Sequence, residues 1–110
     1  MAALYEMRTY RCMPGRMPEV LDRFATSLVG MFDRHGFDTV GYWTVAVGGS
    51  SNDLIYMLRW KSMDDCEQGW ARFGKDPEWP EVKARTESNG PIVESITTQF
   101  LKPTAFSPVA

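Results

Sequence analysis

A chain of 110 residues with 44% apolar content and a net charge of −2 fits one domain around one core. Its 12 basic and 14 acidic residues are interspersed with no basic run, which argues against nucleic acid as a partner. No window of about 18 apolar residues occurs, so no membrane span is expected. One histidine and two cysteines are too few ligands for a zinc site.

Leu4-Tyr5-Glu6-Met7-Arg8-Thr9-Tyr10 reads as the first strand. Alternation places Leu4, Glu6, Arg8 and Tyr10 on one face and Tyr5, Met7 and Thr9 on the other. One face is thus polar at its centre. The residues from Met1 to Glu6 hold neither a basic region nor a long apolar run, so no signal peptide is expected. Met13-Pro14-Gly15 marks a turn. Met17, Val20, Leu21, Phe24, Leu28, Met31 and Phe32 then recur at helical steps. Glu19, Asp22, Arg23 and Asp33 fall off that stripe. Pro18 and Glu19 suit a first turn, Arg34 and His35 a last turn, and Gly36 a terminator.

Residues 39–47 are rich in β-branched and aromatic side chains and read as a second strand. A flexible connection over 48–53 leads to a third, 54–60, apolar on both faces. Ser62 caps the next helix, with Asp65 in the position of a capping box. Met63, Cys66, Trp70 and Phe73 form its buried stripe and Gly74 ends it. Asp76 and Pro77 restart a helix, whose beginning Pro80 is expected to distort and which finishes near Ser88. The last strand spans 92–101.

The order β-α-β-β-α-β predicts a ferredoxin-like α+β fold with a four-stranded antiparallel sheet. Residues 1–102 form the single domain, and 103–110 are a proline-rich tail. Two helices cover only one face of such a sheet. Strands two and three are apolar on both sides, so a second copy of the chain is expected on the other face.

Five motifs in order carry a family resemblance: Tyr5-Glu6-Met7-Arg8-Thr9-Tyr10, Pro14-Gly15, Gly41-Tyr42-Trp43-Thr44, Asp76-Pro77-Glu78-Trp79, and Leu101-Lys102-Pro103-Thr104-Ala105-Phe106-Ser107-Pro108. Together they resemble the NIPSNAP family over nearly the whole chain. The resemblance implies a dimeric α+β barrel, two ferredoxin-like subunits joined through their sheets, each with a pocket between sheet and helices. The wider superfamily holds cofactor-independent monooxygenases, haem-handling enzymes and proteins of no known activity. Many family members have a histidine in strand three where this chain has Tyr56, so a proton-transfer role for that histidine does not carry over.

Two readings of Glu6 and Arg8 stand side by side. They form a polar pocket floor, with Arg8 binding an anionic or carbonyl group and Glu6 orienting it or acting as base. Or they are a structural ion pair. Tyr10, Tyr42 and Tyr56 either share the pocket or are packed rings with satisfied hydroxyls. Trp43, Trp60, Trp70 and Trp79 either line a flat ligand's site or simply pack. His35 reads as a helix-end residue, and Cys12 and Cys66 as small buried hydrophobes of a reducing, cytoplasmic home.

The candidate substrate-binding set is Glu6, Arg8, Tyr10, Tyr42 and Tyr56. The expected function is a small-molecule enzyme of the monooxygenase or isomerase kind, with an enolate-like charge stabilised in the pocket. It would need no metal and no bound cofactor. The alternative is a homodimeric binding module without activity.

Overall fold

The computed structural model describes residues 3–109. Met1, Ala2 and Ala110, which stand at the ends of the expected domain and tail, lie outside the described residues. Strand β1 (Leu4–Cys12) is the hub of the sheet. It pairs antiparallel with β3 (Asp53–Trp60) on one side and β4 (Val93–Leu101) on the other. Strand β2 (Asp38–Thr44) pairs antiparallel with the far edge of β3. The resulting order, β2-β3-β1-β4, is ferredoxin-like.

The helices are α1 (Met17–Arg23), a π-helical turn (Phe24–Leu28), α2 (Val29–Arg34), α3 (Met63–Gly74) and α4 (Glu78–Thr86). Glu6, Tyr10 and Cys12 are buried on the helix side of β1, level with Leu54, Tyr56, Leu58 and Trp60 of β3. This is the period-two split read from the first strand.

Strand β3 is not equally apolar on both sides. Ile55 and Met57 are only half-buried and Arg59 is exposed, because they lie on the face away from the helices. Strand β2 stops at Thr44, where its partner strand runs out. Val45–Val47 therefore leave the sheet, and Val47 is 92% exposed despite its β-forming side chain.

The first helical stripe also differs from expectation. Val20, Phe24, Leu28, Met31 and Phe32 are buried, but so are Arg23 and Ser27, whereas Leu21 is 42% exposed. Helix α4 supplies the reason. Arg23 Nε donates to Thr86 Oγ1 at 2.9 Å, its Nη2 to Glu87 at 2.7 Å, and Ser27 accepts from Arg85 at 2.8 Å. Polar groups so satisfied are tolerated on a buried face.

Ser62 accepts the Asp65 N–H at 3.1 Å, and the Asp65 carboxylate accepts the N–H of Lys61 at 3.0 Å, one residue short of a true capping box. Met63 is exposed rather than buried. Gly69 is buried in α3 instead, against Trp60. Pro80 is the third residue of α4, in the first turn, where its missing N–H costs no helical bond. Asp76 starts this turn through Glu78 N–H on its side chain and Trp79 N–H on its carbonyl. On the open sheet face, Lys102, Pro103, Ser107 and Val109 come up to Tyr5, Val40 and Met57. The tail thus makes no strand but packs over one end of that face.

Candidate functional site

Glu6 is 2% exposed, and four donors converge on it. Its Oε1 accepts from Trp60 Nε1 at 2.9 Å, Trp70 Nε1 at 2.8 Å and the Cys66 thiol at 3.5 Å. Its Oε2 accepts from Arg8 Nη1 at 3.2 Å. Cys66 and Trp70 are four residues apart on α3, so both lie on the turn of helix above this part of the sheet. Burial, followed by the Glu6 charge, pushes the Cys66 thiol up to about 12, so it is an inert donor.

Arg8 is the next residue on the same strand face. Its guanidinium stands 4.3 Å from the Trp70 ring centroid, and 5.7 and 5.9 Å from those of Tyr10 and Tyr56. Burial works against its charge, but Tyr56, Tyr10 and Glu6 outweigh it and hold its pKa above the ordinary arginine value. Its Nε is buried and has no hydrogen-bond partner. The hydroxyls of Tyr10 and Tyr56 meet at 3.2 Å. Burial, reinforced by Tyr10, raises the Tyr56 phenol well above its usual value, so it stays protonated.

A cavity of about 210 Å³ lies between sheet and helices, bounded by Arg8 and Tyr10 from β1, Leu28 and Phe32, Trp70 and Phe73, Trp79 and Ile96. Arg23 lies 5.3 Å from the centroid of the Trp79 ring and ties α1 to α4. A second hollow, of about 360 Å³, shares Tyr10, Trp79 and Ile96 with the first and extends along Lys83 and Glu94. A larger one, about 430 Å³, lies elsewhere, near Asp38, Arg59, Lys61 and Arg72. All four of those side chains are exposed and charged, so that hollow is more polar than the mostly apolar pockets typical of small-molecule sites, although Ala3 and Trp60 also line it.

Of the residues proposed from sequence, the fold brings Glu6, Arg8, Tyr10 and Tyr56 together. Arg8 and Tyr10 line the cavity, Tyr56 is wholly buried behind Tyr10, and Glu6 braces Arg8 from the side. Tyr42 packs on Tyr56 and Phe24, with ring centroids 5.6 and 5.8 Å away, outside the cavity lining. Burial raises its phenol, partly offset by Thr39. Trp70 and Trp79 line the cavity, Trp60 packs beneath α3, and Trp43 is 48% exposed on β2. His35 caps the end of α2 and meets Asp76 Oδ2 at 2.7 Å. The donor roles of Trp60 and Trp70 to Glu6 and the burial of Arg23 are absent from the sequence reading. The spacing of Cys66 and Trp70 was the available signal for the first.

The sheet order, the helices on one face and the likeness to solved structures define a ferredoxin-like α+β protein of the dimeric α+β barrel fold class. The chain belongs to the NIPSNAP family, whose family model matches residues 5–108. It is 32% identical to mouse Protein NipSnap homolog 3B over 77 residues, which are 70% of this chain and 30% of that protein. It is 28% identical to Protein NipSnap of Drosophila melanogaster over 105 residues, 96% of this chain and 36% of that protein. The chain therefore spans about a third of the length of these relatives.

Among solved structures, a NIPSNAP family protein from Agrobacterium tumefaciens superposes with a TM-score of 0.87 at 26% identity, over 98% of this chain and 99% of that one. SnoaB, a cofactor-independent oxygenase from Streptomyces nogalater, superposes with a TM-score of 0.62 at 12% identity, over 98% of this chain and 99% of that one. At that identity the likeness is one of fold. Among the described residues no helix is long and apolar enough to cross a membrane.

Proposed function

We propose that this chain binds a small organic molecule in the cavity between its sheet and helices. The observation that carries the reading is Arg8, which borders an aromatic-walled cavity of about 210 Å³ and whose buried Nε has no hydrogen-bond partner. A buried donor left open is costly unless a ligand or water fills it. Chemistry at an enolisable carbonyl, as an isomerase or a cofactor-independent monooxygenase, suits this arrangement. Arg8 and Tyr10 would hold the developing oxyanion, with Tyr56 bonded behind Tyr10. Glu6, with four donors on it, is better placed to position Arg8 and Trp70 than to take a proton. SnoaB, which shares the fold, is a cofactor-independent oxygenase, and that likeness of fold supports the oxygenase reading.

The same saturation of Glu6 favours a second reading, a binding module without turnover, since no carboxylate lines the 210 Å³ cavity among the described residues. In either case we place a second copy on the open sheet face, over Met7, Ile55, Met57 and Trp43. Two buried free cysteines suit a reducing cytoplasmic compartment. Native mass spectrometry of the purified protein, followed by denaturation, tests the proposal. The expected result is twice the 12.5 kDa chain mass carrying a small molecule that is set free on denaturation. A dimer that takes up no aromatic carbonyl compound at all would remove the binding reading, and a lone chain would remove the dimer.

A further inference from the structure

We infer that the ligand of this cavity is a one- or two-ring aromatic bearing an oxygen acceptor (a carboxylate, ketone or phenol) and no more than one negative charge. The inference rests on the cavity being a binding site, as proposed above.

The first argument counts donors. Arg8 gives Nη1 to Glu6 and leaves Nε open. Tyr10 and Tyr56 hold two hydroxyl protons between them, and the bond at 3.2 Å uses one. The other proton has no described side-chain acceptor in the cavity lining. The remaining walls are Leu28, Phe32, Phe73, Ile96 and two tryptophans, and Trp70 already gives its N–H to Glu6. Among the described side chains of the lining the Tyr10 phenol oxygen is the one acceptor, and it already faces Arg8 and Tyr56, so donors are in excess. A ligand that completes it must bring the acceptor, and an amine next to Arg8 would add a like charge.

The second argument is charge. Glu6 lies against Arg8 at 3.2 Å and already balances it. One further negative charge leaves a single excess charge close to two phenols and an open N–H. A second would meet no further cation within this lining, whose one charged side chain is Arg8. Dicarboxylates and phosphate monoesters are disfavoured on this ground.

The third argument is shape. The Phe32 and Trp70 rings stand at 90° with centroids 5.7 Å apart, and Phe73 and Trp79 lie 5.6 Å apart. These walls suit a flat ring. An apolar cavity of about 150 Å³ holds benzene, so about 210 Å³ admits one ring or two fused rings. Larger substituents have a path into the adjoining hollow between α4 and β4.

Titration calorimetry of the full chain with naphthoate, acetonaphthone, methylnaphthalene and naphthalene dicarboxylate tests the inference. Naphthoate or acetonaphthone should bind about tenfold tighter than methylnaphthalene, the worth of one or two buried hydrogen bonds. The dicarboxylate should bind no tighter than methylnaphthalene. In Tyr10→Phe/Tyr56→Phe, and in Glu6→Gln/Arg8→Met, which removes both charges together, the tenfold advantage should fall below about threefold. Equal binding of methylnaphthalene and the oxygenated probes would overturn the donor argument and leave the cavity as a binding site. Preference for the dicarboxylate would overturn the charge limit. Failure of all four probes to bind would take down the binding reading itself and this inference with it.

Discussion

Trp70 and Glu6, 64 residues apart in sequence, meet through an indole N–H 2.8 Å from a buried carboxylate oxygen. The same indole ring carries the Arg8 guanidinium 4.3 Å from its centroid. One ring thus fixes the anion by its edge and the cation by its face. Helix α3 is thereby locked to the central strand, and Arg8 is fixed where it borders the cavity.

Breaking this unit from one side should be costly. Arg8→Ala leaves Glu6 buried without its cation, and the loss should be on the order of 3 kcal/mol. Glu6→Gln/Arg8→Met, which removes both charges, should lose much less than Arg8→Ala. Urea unfolding of the variants measures both, and an Arg8→Ala midpoint equal to that of wild type would show that the pair carries no stability.

Two helical glycines should respond in opposite directions. A Cβ at Gly69 would sit 2.6 Å from the Trp60 ring, while one at Gly30 meets nothing within 4 Å. Gly69→Ala should destabilise by about 1–3 kcal/mol through overpacking. Gly30→Ala should stabilise by about 0.5–1 kcal/mol, because alanine loses less freedom in a helix. Thermal melts of the two variants, read side by side, check the sign of each.

Asp76 gives the fold an acid-sensitive joint. The His35 ring, then the Glu78 backbone N–H and the Arg34 guanidinium, hold its carboxyl at about 2, below the ordinary 3.8. A carboxyl depressed on folding stabilises above its unfolded value and loses that contribution as pH falls through the folded one. Wild type should therefore lose stability between about pH 4 and pH 2 through this group. Asp76→Asn should show a shallower fall in melting temperature over that range. Parallel curves for the two proteins would show that Asp76 is not the group responsible.

The open sheet face carries the prediction of self-association. Met57 is half-buried at the centre of that face, paired with Met7 and Gly41. Met57→Glu should yield a single chain by light scattering, with the circular dichroism of wild type. A variant that keeps the dimer mass would place the contact elsewhere.

Much of this architecture is legible in the sequence because it rests on local periods. The two faces of β1 follow from alternation, and the element order follows from Pro14-Gly15, Gly36, Ser62 and Asp76 acting as turn and cap residues. What escapes is whatever depends on a distant partner. Arg23 looks solvent-facing until Thr86, 63 residues later, accepts its Nε. Ser27 waits on Arg85 in the same way. Residues 45–47 have the composition of a strand, yet β3 begins too late to pair with them. The candidate site divides along the same line. Glu6, Arg8 and Tyr10 share one strand face by period alone, whereas Trp70 and Trp79 reach the cavity only once α3 and α4 have folded over it.

The most direct test of the account is a crystal structure of the chain grown with saturating naphthoate. The account predicts the ring between Phe32 and Trp79, with a carboxylate oxygen within hydrogen-bond distance of Arg8 Nε and of the Tyr10 hydroxyl. Naphthoate seated anywhere else, with the space beside Arg8 closed by the protein's own side chains, would contradict it.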